Sequence, residues 1–565
     1  MRRIGIVGSG PMAIYLLKFL SEGSHPLDII VFEAADTAGR GMPYRQGMNG
    51  DYMLCNAFSR EIPDLTGTFY QWLSKRPPRE LTEWELSRHD VSPRAFYPRT
   101  LLGEYLEDEF ESLCARGKAA GHAIRVLTRC RVLDVIPGER GTTVKARLNG
   151  ETRDHRLDVV VVATGHQWPE EPAIGDARLV SPWPCSNITD LPPGRIGILG
   201  SSLSAVDVVV ALGHAHGSFD ETGATVSWTA SPGSKGLRVT MVSHMGIMPE
   251  GDFYYPYPYR PVTHITDERV RAEVEQGPDR LLDRVFALLI REIEEEDPPY
   301  LRDLGPAART IPGFAEGYFS HRRQVGGLAA VREDLDRARA SMRQRETIAY
   351  RYALLRGHEK FDLVLRHLPG GDRETFDRHL LPVFADCYAA VPHLSLARVL
   401  AMDAAGVLDL LASGHEADFR HAADGSVEVV LEDGTLRFDA MIDARGQSPA
   451  GVHAIPFPSL TAALAGDAAP LEAPFRLSLA DETAGPVYCL AMPQLLERHP
   501  FSQGLPNCAE LAAIAAADIG AACTNGRLAS VITPERRADH GSPRAPGDTF
   551  GRMAASDHAS GKETA

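Results

Sequence analysis

Residues 3–33 constrain the fold more than any other stretch. Arg3-Ile4-Gly5-Ile6-Val7 is a short apolar run, Gly8-Ser9-Gly10-Pro11-Met12-Ala13 has the form Gly-x-Gly-x-x-Ala, and Ile29-Ile30-Val31-Phe32 is a second apolar run that ends at Glu33. Between them Ala13, Leu16, Leu17 and Leu20 recur at helical spacing, as a helix covering a sheet requires. Each part of this strand, turn, helix, strand and acid has a physical task. Gly8 allows the tight turn, Gly10 lets backbone approach a pyrophosphate, and small Ala13 lets the helix pack close. The helix N-terminus, with Ser9, Pro11 and Met12 around it, offers free N–H groups and partial positive charge to phosphate. Glu33 is placed to accept hydrogen bonds from a ribose.

The same logic returns downstream. Asp158-Val159-Val160-Val161-Val162-Ala163-Thr164-Gly165 has the continuous apolar character of a parallel strand covered on both faces. Arg195-Ile196-Gly197-Ile198-Leu199 then leads into Gly200-Ser201-Ser202-Leu203-Ser204-Ala205, where serines replace the later glycines and can donate to phosphate directly. A second apolar strand, Leu237 to Val242, ends at Ser243-His244, with no acid where Glu33 stood. An acid there would repel a 2′-phosphate, so the pair of fingerprints predicts FAD at the first and NADPH at the second.

Composition narrows the class. A formal charge of -16 over 565 residues argues against nucleic acid or an anionic membrane as partner. The chain opens on strand residues, not on a basic segment followed by an apolar one, and it holds no apolar run of about 18 residues. Eight cysteines without a Cys-x-x-Cys pattern suit free thiols in a reducing cytoplasm. No metal site is expected; His214-x-His216 is better explained as a solvated helix end.

In chain order, the glycine loop Gly39-Arg40-Gly41-Met42-Pro43-Tyr44 follows the ribose acid, either as a loop that brings Gly41 beside the first cofactor or as a plain surface turn. Asn56, in an apolar stretch, is a candidate flavin or oxygen contact, or an amide satisfying local backbone. Pro98 marks the start of a helix carrying Leu102, Leu106, Phe110 and Leu113 on one face. Gly251 to Pro261 is rich in aromatic residues and proline, and amphipathic helices follow, including Leu282, Val285, Phe286, Leu289 and Ile293, then 328–342 and 396–411. This helical part is either a cap over the flavin or an oligomerising arm. Sheet resumes at Val427 to Leu431, turns at Asp433-Gly434 and reaches Asp443-Ala444-Arg445-Gly446, an altered Ala-Thr-Gly. Ser502 to Asn507, including Gly504 and Leu505, is a glycine loop that leads into a last helix from Cys508 to Cys523, with Asn507 and Glu510 as its N-cap box.

The prediction is an α/β fold with two Rossmann-like dinucleotide-binding domains and an additional helical insertion. The FAD domain spans 1–170 and 416–530, the NADPH domain 171–260 and the insertion, a candidate substrate cap, 261–415, with a disordered tail at 531–565. The fingerprints, Leu54-x-Asn56, Pro98-Arg99-x-x-x-Gly103-x-Tyr105-Leu106 and Ala163-Thr164-Gly165 together resemble the FAD-NAD(P)-binding proteins of the flavin monooxygenase superfamily. Within that group the overall likeness is to flavin-dependent N-monooxygenases that oxidise L-aspartate to nitrosuccinate. That resemblance implies NADPH, O2 and a C4a-hydroperoxyflavin, a small amino-acid substrate and a water-excluding cap. It also implies a flavin-side role for Gly165, Gly504 and Leu505. Two substrate carboxylates would call for arginine forks, with Arg260, Arg322, Arg323 and Arg445 as candidates. Alternatives are oxygenation of another nucleophile such as a sulfide, a reductase, and a non-catalytic flavin-binding sensor or scaffold.

Overall fold

The computed structural model describes residues 1–524, apart from 140, 170, 224, 390, 415, 433 and 467–469. Its framework is, in chain order, β1 (Arg2–Val7), α1 (Pro11–Ser21), β2 (Leu27–Phe32), α2 (Arg99–Ala119), β3 (Ala123–Leu127), β4 (Val159–Val162), β5 (Arg195–Leu199), α3 (Leu203–His216), β6 (Arg238–Ser243), β7 (Leu408–Ala412), β8 (Ala440–Asp443), β9 (Val487–Cys489) and α4 (Leu505–Thr524). The valines of β4 and the isoleucines of β1 and β2 are fully buried, as strands covered on both faces must be. They form a parallel sheet of order β9-β4-β1-β2-β3, and β7-β6-β5-β8 form a second parallel sheet. This is the expected α/β class.

The two sheets repeat one plan. In each, a strand, a glycine turn and a helix lead to a second strand, and a helical crossover leads to a third. A three-stranded antiparallel meander then leads to a fourth strand, which pairs on the other side of the first. The meanders are Cys130–Gly138, Gly141–Leu148, Glu151–Leu157 in the first unit and Asp418–His421, Val427–Leu431, Gly434–Phe438 in the second. The helical part, from Asp267–Glu275 to His393–Ala404, is thus the crossover between the second and third strands of the second unit. Leu282, Val285, Phe286, Leu289 and Ile293 pack there with Phe314, Phe361 and Phe384.

Four sequence expectations change. The 396–411 pattern is not one helix: the helix stops at Ala404, and Leu408–Ala412 is a strand pairing with β6. The NADPH domain does not end at 260, nor does the FAD domain resume at 416, because β7, the second meander and β8 complete the second sheet. Residues 396–411 are apolar on helical spacing, and only pairing partners far away in sequence reveal the strand. The last helix begins at Leu505, so Asn507 lies inside it and its amide donates to the Phe501 carbonyl instead of forming an N-cap box. His216 is buried, with Nδ1 3.2 Å from Ser234 Oγ, and His214 stacks on Tyr52 at 4.1 Å, so this helix end is packed and not solvated. Asp433 of the hairpin turn and the 531–565 tail lie outside the described residues.

Among the described residues no helix is long and apolar enough to cross a membrane, and no group of three or more His, Cys, Asp or Glu could hold a metal ion.

Candidate functional site

At the first turn Gly8 has φ +102°, and a Cβ there would lie 2.4 Å from the Ala163 carbonyl oxygen at the end of β4. Only glycine fits, because the neighbouring strand end closes over the turn. Gly10 is close to the glycine loop as well: a Cβ on it would meet Gly41 Cα at 3.3 Å. Pro11 takes the first position of α1 with Gly10 as its N-cap, which leaves the next N–H groups facing the turn. Ser9 Oγ donates to Glu33 Oε2 at 2.6 Å and accepts from the Gly39 N–H at 3.1 Å. The other Glu33 oxygen accepts from the Ala35 N–H at 2.7 Å and from Arg45 at 3.3 Å. The expected ribose acid is therefore fixed in orientation before any ligand arrives.

Around this turn lies a cavity of about 540 Å³. Glu33 and Cys130 to Leu133 line one stretch of it, Gly8 to Met12 and Gly41 to Arg45 another, and Gly165 to Gln167, Met492, Gln503, Leu505 and Cys508 the rest. Two of its lining side chains carry buried polar atoms with no partner, Arg45 Nε and His166 Nδ1. Burial holds the His166 pKa down at about 4, so the imidazole is neutral. A cleft of this volume, with a helix N-terminus at the glycine turn, a carboxylate fixed at the end of β2, the unpaired Arg45 Nε–H and an unpaired His166 ring nitrogen, fits a dinucleotide such as FAD.

The second turn is built in the same way. Gly200 has φ +117°, and its Cβ would lie 2.8 Å from the Ala444 carbonyl oxygen at the end of β8. The hydrogen bonds correspond: Gly8 N–H to Phe32 and Ala163 N–H to Val7 in one unit, Gly200 N–H to Val242 and Ala444 N–H to Leu199 in the other, all at 2.8–2.9 Å. Strand register pairs Val7 with Phe32 and Leu199 with Val242, which puts Ser243 in the position of Glu33. Ser201 Oγ donates to the Ile247 carbonyl at 2.5 Å and lies 2.8 Å from Ser243 Oγ. Ser202 is the N-cap of α3, which begins at Leu203 and Ser204. His244 is exposed, with Nδ1 2.8 Å from the Gly414 carbonyl oxygen.

The two units are joined by a buried ion pair. Arg99, at the start of α2, meets Asp207 on α3 at 2.6 Å and donates to the Leu54 carbonyl at 3.1 Å.

The remaining candidates are scattered. Asn56 is exposed and does not line the cavity, and Gly504 is exposed beside Leu505, which does. The four arginines do not converge, and each faces a carboxylate of its own. Arg260 is 3.6 Å from Glu296, Arg322 forms a buried bidentate pair with Asp386 at 3.0 and 2.8 Å, and Arg323 pairs with Glu316. Arg445 pairs bidentately with Asp443 at 2.8 Å, and it stands where Thr164 stands in the first unit, beside the second turn and not the first. Sequence reasoning missed Arg45, His166, Gln167 and Met492 as lining residues. Arg45 directly follows the glycine loop and His166-Gln167 directly follow Ala163-Thr164-Gly165, so extending both motifs by a few residues would have found three of the four.

Residues 5–167 match a family profile described as FAD-NAD(P)-binding, and residues 266–388 match the YdhS-like middle domain. Over 516 residues the chain is 36% identical to the uncharacterized protein YdhS of Escherichia coli strain K12, a match covering 90% of this chain and 96% of that protein. Solved structures with some similarity include the ornithine N-hydroxylase of Kutzneria sp. 744, at TM-score 0.45 and 15% identity, covering 91% of this chain and 98% of that one. Another is the L-lysine 6-monooxygenase of Pseudomonas syringae, at TM-score 0.43 and 14% identity, covering 93% and 100%.

Proposed function

The chain belongs to the YdhS family, and we propose that it is an FAD- and NADPH-dependent monooxygenase acting on a nucleophilic nitrogen of a small molecule. The observation that carries this reading is the repeated unit: two turns of one construction, one facing a fixed acid and the other a serine at the same register position. When bound, FAD would take a hydride from NADPH and supply the electrons with which dioxygen is activated. The chain's own residues bind, orient and shield. Ser9, Gly10 and Met12 would bring backbone N–H groups to the pyrophosphate and Glu33 would hold the ribose, while Arg45 Nε supplies a donor and neutral His166 a ring nitrogen along the cleft. Gly200 to Ser204 do the same for the nicotinamide nucleotide, and Ser243 leaves room and hydrogen-bonding capacity for a 2′-phosphate. Leu505 and Cys508 at the start of α4 close one wall against water.

L-aspartate would need two free guanidinium forks, and Arg260, Arg322, Arg323 and Arg445 are each engaged by a carboxylate. The reading therefore extends to a small amine, with aspartate as a comparison substrate. The test is NADPH oxidation in air by the FAD-loaded protein, with hydrogen peroxide and oxygenated product followed for amines, amino acids and sulfides. Flavin reduced by NADPH, with coupled product from a nitrogen nucleophile, is the expected result. A protein that retains no FAD, or whose FAD neither NADPH nor NADH reduces, overturns the reading.

A further inference from the structure

A second cavity, of about 990 Å³, lies where three parts of the chain meet. The first unit contributes Gln46 to Leu54 and the stretch from Glu83 to Glu104, the second contributes His214 and Glu221, and the helical crossover contributes Asp252, Met342 and Pro392 to Arg398. Its loop continues the one that lines the dinucleotide cavity: Gly41 to Arg45 face one space, and Gln46, Asp51, Tyr52 and Leu54 face the other.

The lining has a strong charge bias. Six acidic residues, Asp51, Glu83, Glu85, Glu104, Glu221 and Asp252, line the space against two arginines, Arg94 and Arg398. Both guanidiniums are already committed. Arg398 pairs with Glu221 at 2.7 Å and donates to the Tyr52 carbonyl at 2.9 Å. Arg94 donates to the Tyr255 carbonyl and lies over the rings of Phe58, Tyr254 and Tyr255 at 4.9–5.9 Å. Asp51, Glu83 and Glu85 are exposed at the rim, where solvent screens them.

Asp252 is different. It is only 2% exposed, yet it lines the cavity and makes no ion pair among the described residues. Arg351, which acts on it from a distance, is held by Glu250 at 2.9 Å and Asp334 at 3.7 Å. Ionised, a carboxyl buried without a cation is costly, so the charged form of Asp252 calls for a cation that the cavity can admit. Trp84, Phe96, Leu54, Leu86 and Met342 supply apolar surface for the rest of a ligand.

We infer that this cavity is a binding site for a small organic cation, an ammonium group on an apolar or aromatic body, with Asp252 as its counter-ion. The proposal rests on the redox reading above only for the fate of the ligand; binding itself is independent of it. Burial pushes the Asp252 carboxyl up to about 8, and Glu61, itself raised to about 7 by burial, adds to this, while Arg351, Arg94 and a hydrogen bond from the Phe253 backbone N–H oppose it. His393 Nε2 sits 2.6 Å from the Asp252 backbone carbonyl. At pH 7 the group is therefore largely protonated, and an entering cation displaces its proton.

The probes are three molecules with one body and different charge: phenethylamine, phenethyl alcohol and 3-phenylpropanoate, titrated calorimetrically into the FAD-loaded protein at pH 7. The expected order of affinity is cation, then alcohol, then anion, with protons released to buffer by the amine alone. Asp252→Asn should weaken the amine at least tenfold and leave the alcohol unchanged; Glu104→Gln, on a separate element, serves if the first variant does not fold, with a smaller loss of the same sign. Equal affinity for the three, no binding of the amine, or amine affinity unchanged in the variant overturns the proposal. Amine that binds without altering NADPH oxidation or product leaves the site standing and removes the redox reading of it. NADPH-reducible flavin in a protein that does not bind the amine does the reverse.

Discussion

Replacing Arg99 by methionine tests how the two units are held together. Its guanidinium is 2.6 Å from Asp207, with the two side chains 15% and 12% exposed, so little water is available to replace either partner. Removing the cation leaves a buried carboxylate, which costs about 3–5 kcal/mol. At about 2–4 °C per kcal/mol for a cooperative unit of about 150–250 residues, the transition of the unit that carries the lost pair should fall by about 6–20 °C. The penalty also has a predictable pH dependence. Burial already raises the Asp207 pKa while Arg99 lowers it, so without Arg99 it rises further and the carboxyl escapes by taking up a proton. The raised folded-state value means stability is kept at low pH and lost as pH climbs through it, by about 1.4 kcal/mol per unit. Arg99→Met should therefore lie closer to the parent at pH 5 than at pH 8. The double variant Arg99→Met/Asp207→Leu removes both charges and should recover most of the loss. Thermal unfolding followed by far-UV dichroism at the two pH values is the assay. A single variant within about 1 kcal/mol of the parent at pH 8, or a double variant as unstable as the single, would refute the reasoning.

Other perturbations separate the parts of the site. Gly8→Ala places a methyl 2.4 Å from the Ala163 carbonyl and should abolish FAD retention, whereas Gly200→Ala, at 2.8 Å from Ala444, should keep the flavin and lose at least 90% of its NADPH reduction rate; absorbance and stopped-flow reduction distinguish them. Ser243→Asp restores an acid at the register position of Glu33 and should shift the NADPH-to-NADH preference towards NADH by about tenfold or more, read as the ratio of kcat/KM values. Asp252→Asn removes a carboxyl whose raised pKa costs stability as pH climbs towards about 8, so in ligand-free protein it should raise the melting temperature at pH 9 and have less effect at pH 6.

The legible part of the fold was whatever local chemistry dictates. Gly8 and Gly200 declare themselves because each sits in a turn, at positive φ, where a strand end leaves room for glycine alone, and the valines of 159–162 permit only burial on both faces. What escaped was anything decided by a partner far along the chain. Leu408 to Ala412 continue an apolar helical spacing and become a strand because β6 offers them a parallel edge. The four arginines have the right charge for a dicarboxylate, but Glu296, Asp386, Glu316 and Asp443 take them, and no spacing rule connects Arg322 with an aspartate 64 residues away.

The repeated unit explains where the unusual part of the chain was placed. In the first unit the crossover from β2 to β3 carries α2, whose first residue, Arg99, reaches across to α3. In the second, the crossover from β6 to β7 has grown into the whole helical part. A crossover leaves from the carboxyl end of one strand, the end at which open α/β sheets bind ligands, so enlarging it adds walls near the nucleotide turns without breaking either sheet. The segment that leaves β6 makes the point: Ser243 faces Ser201, the Ile247 carbonyl accepts a hydrogen bond from Ser201, Glu250 anchors Arg351 and Arg337, and Asp252 lines the second cavity. Within ten residues one strand end passes from the second glycine turn, through a buried charge network, to the acid that we assign to a cationic ligand. Between those two ends Glu250, held down at about 2 by Arg351, Arg322 and Arg337 against its burial, stays charged and ties the segment to Arg351 and Arg337, so the strand end is anchored by ion pairs along its course.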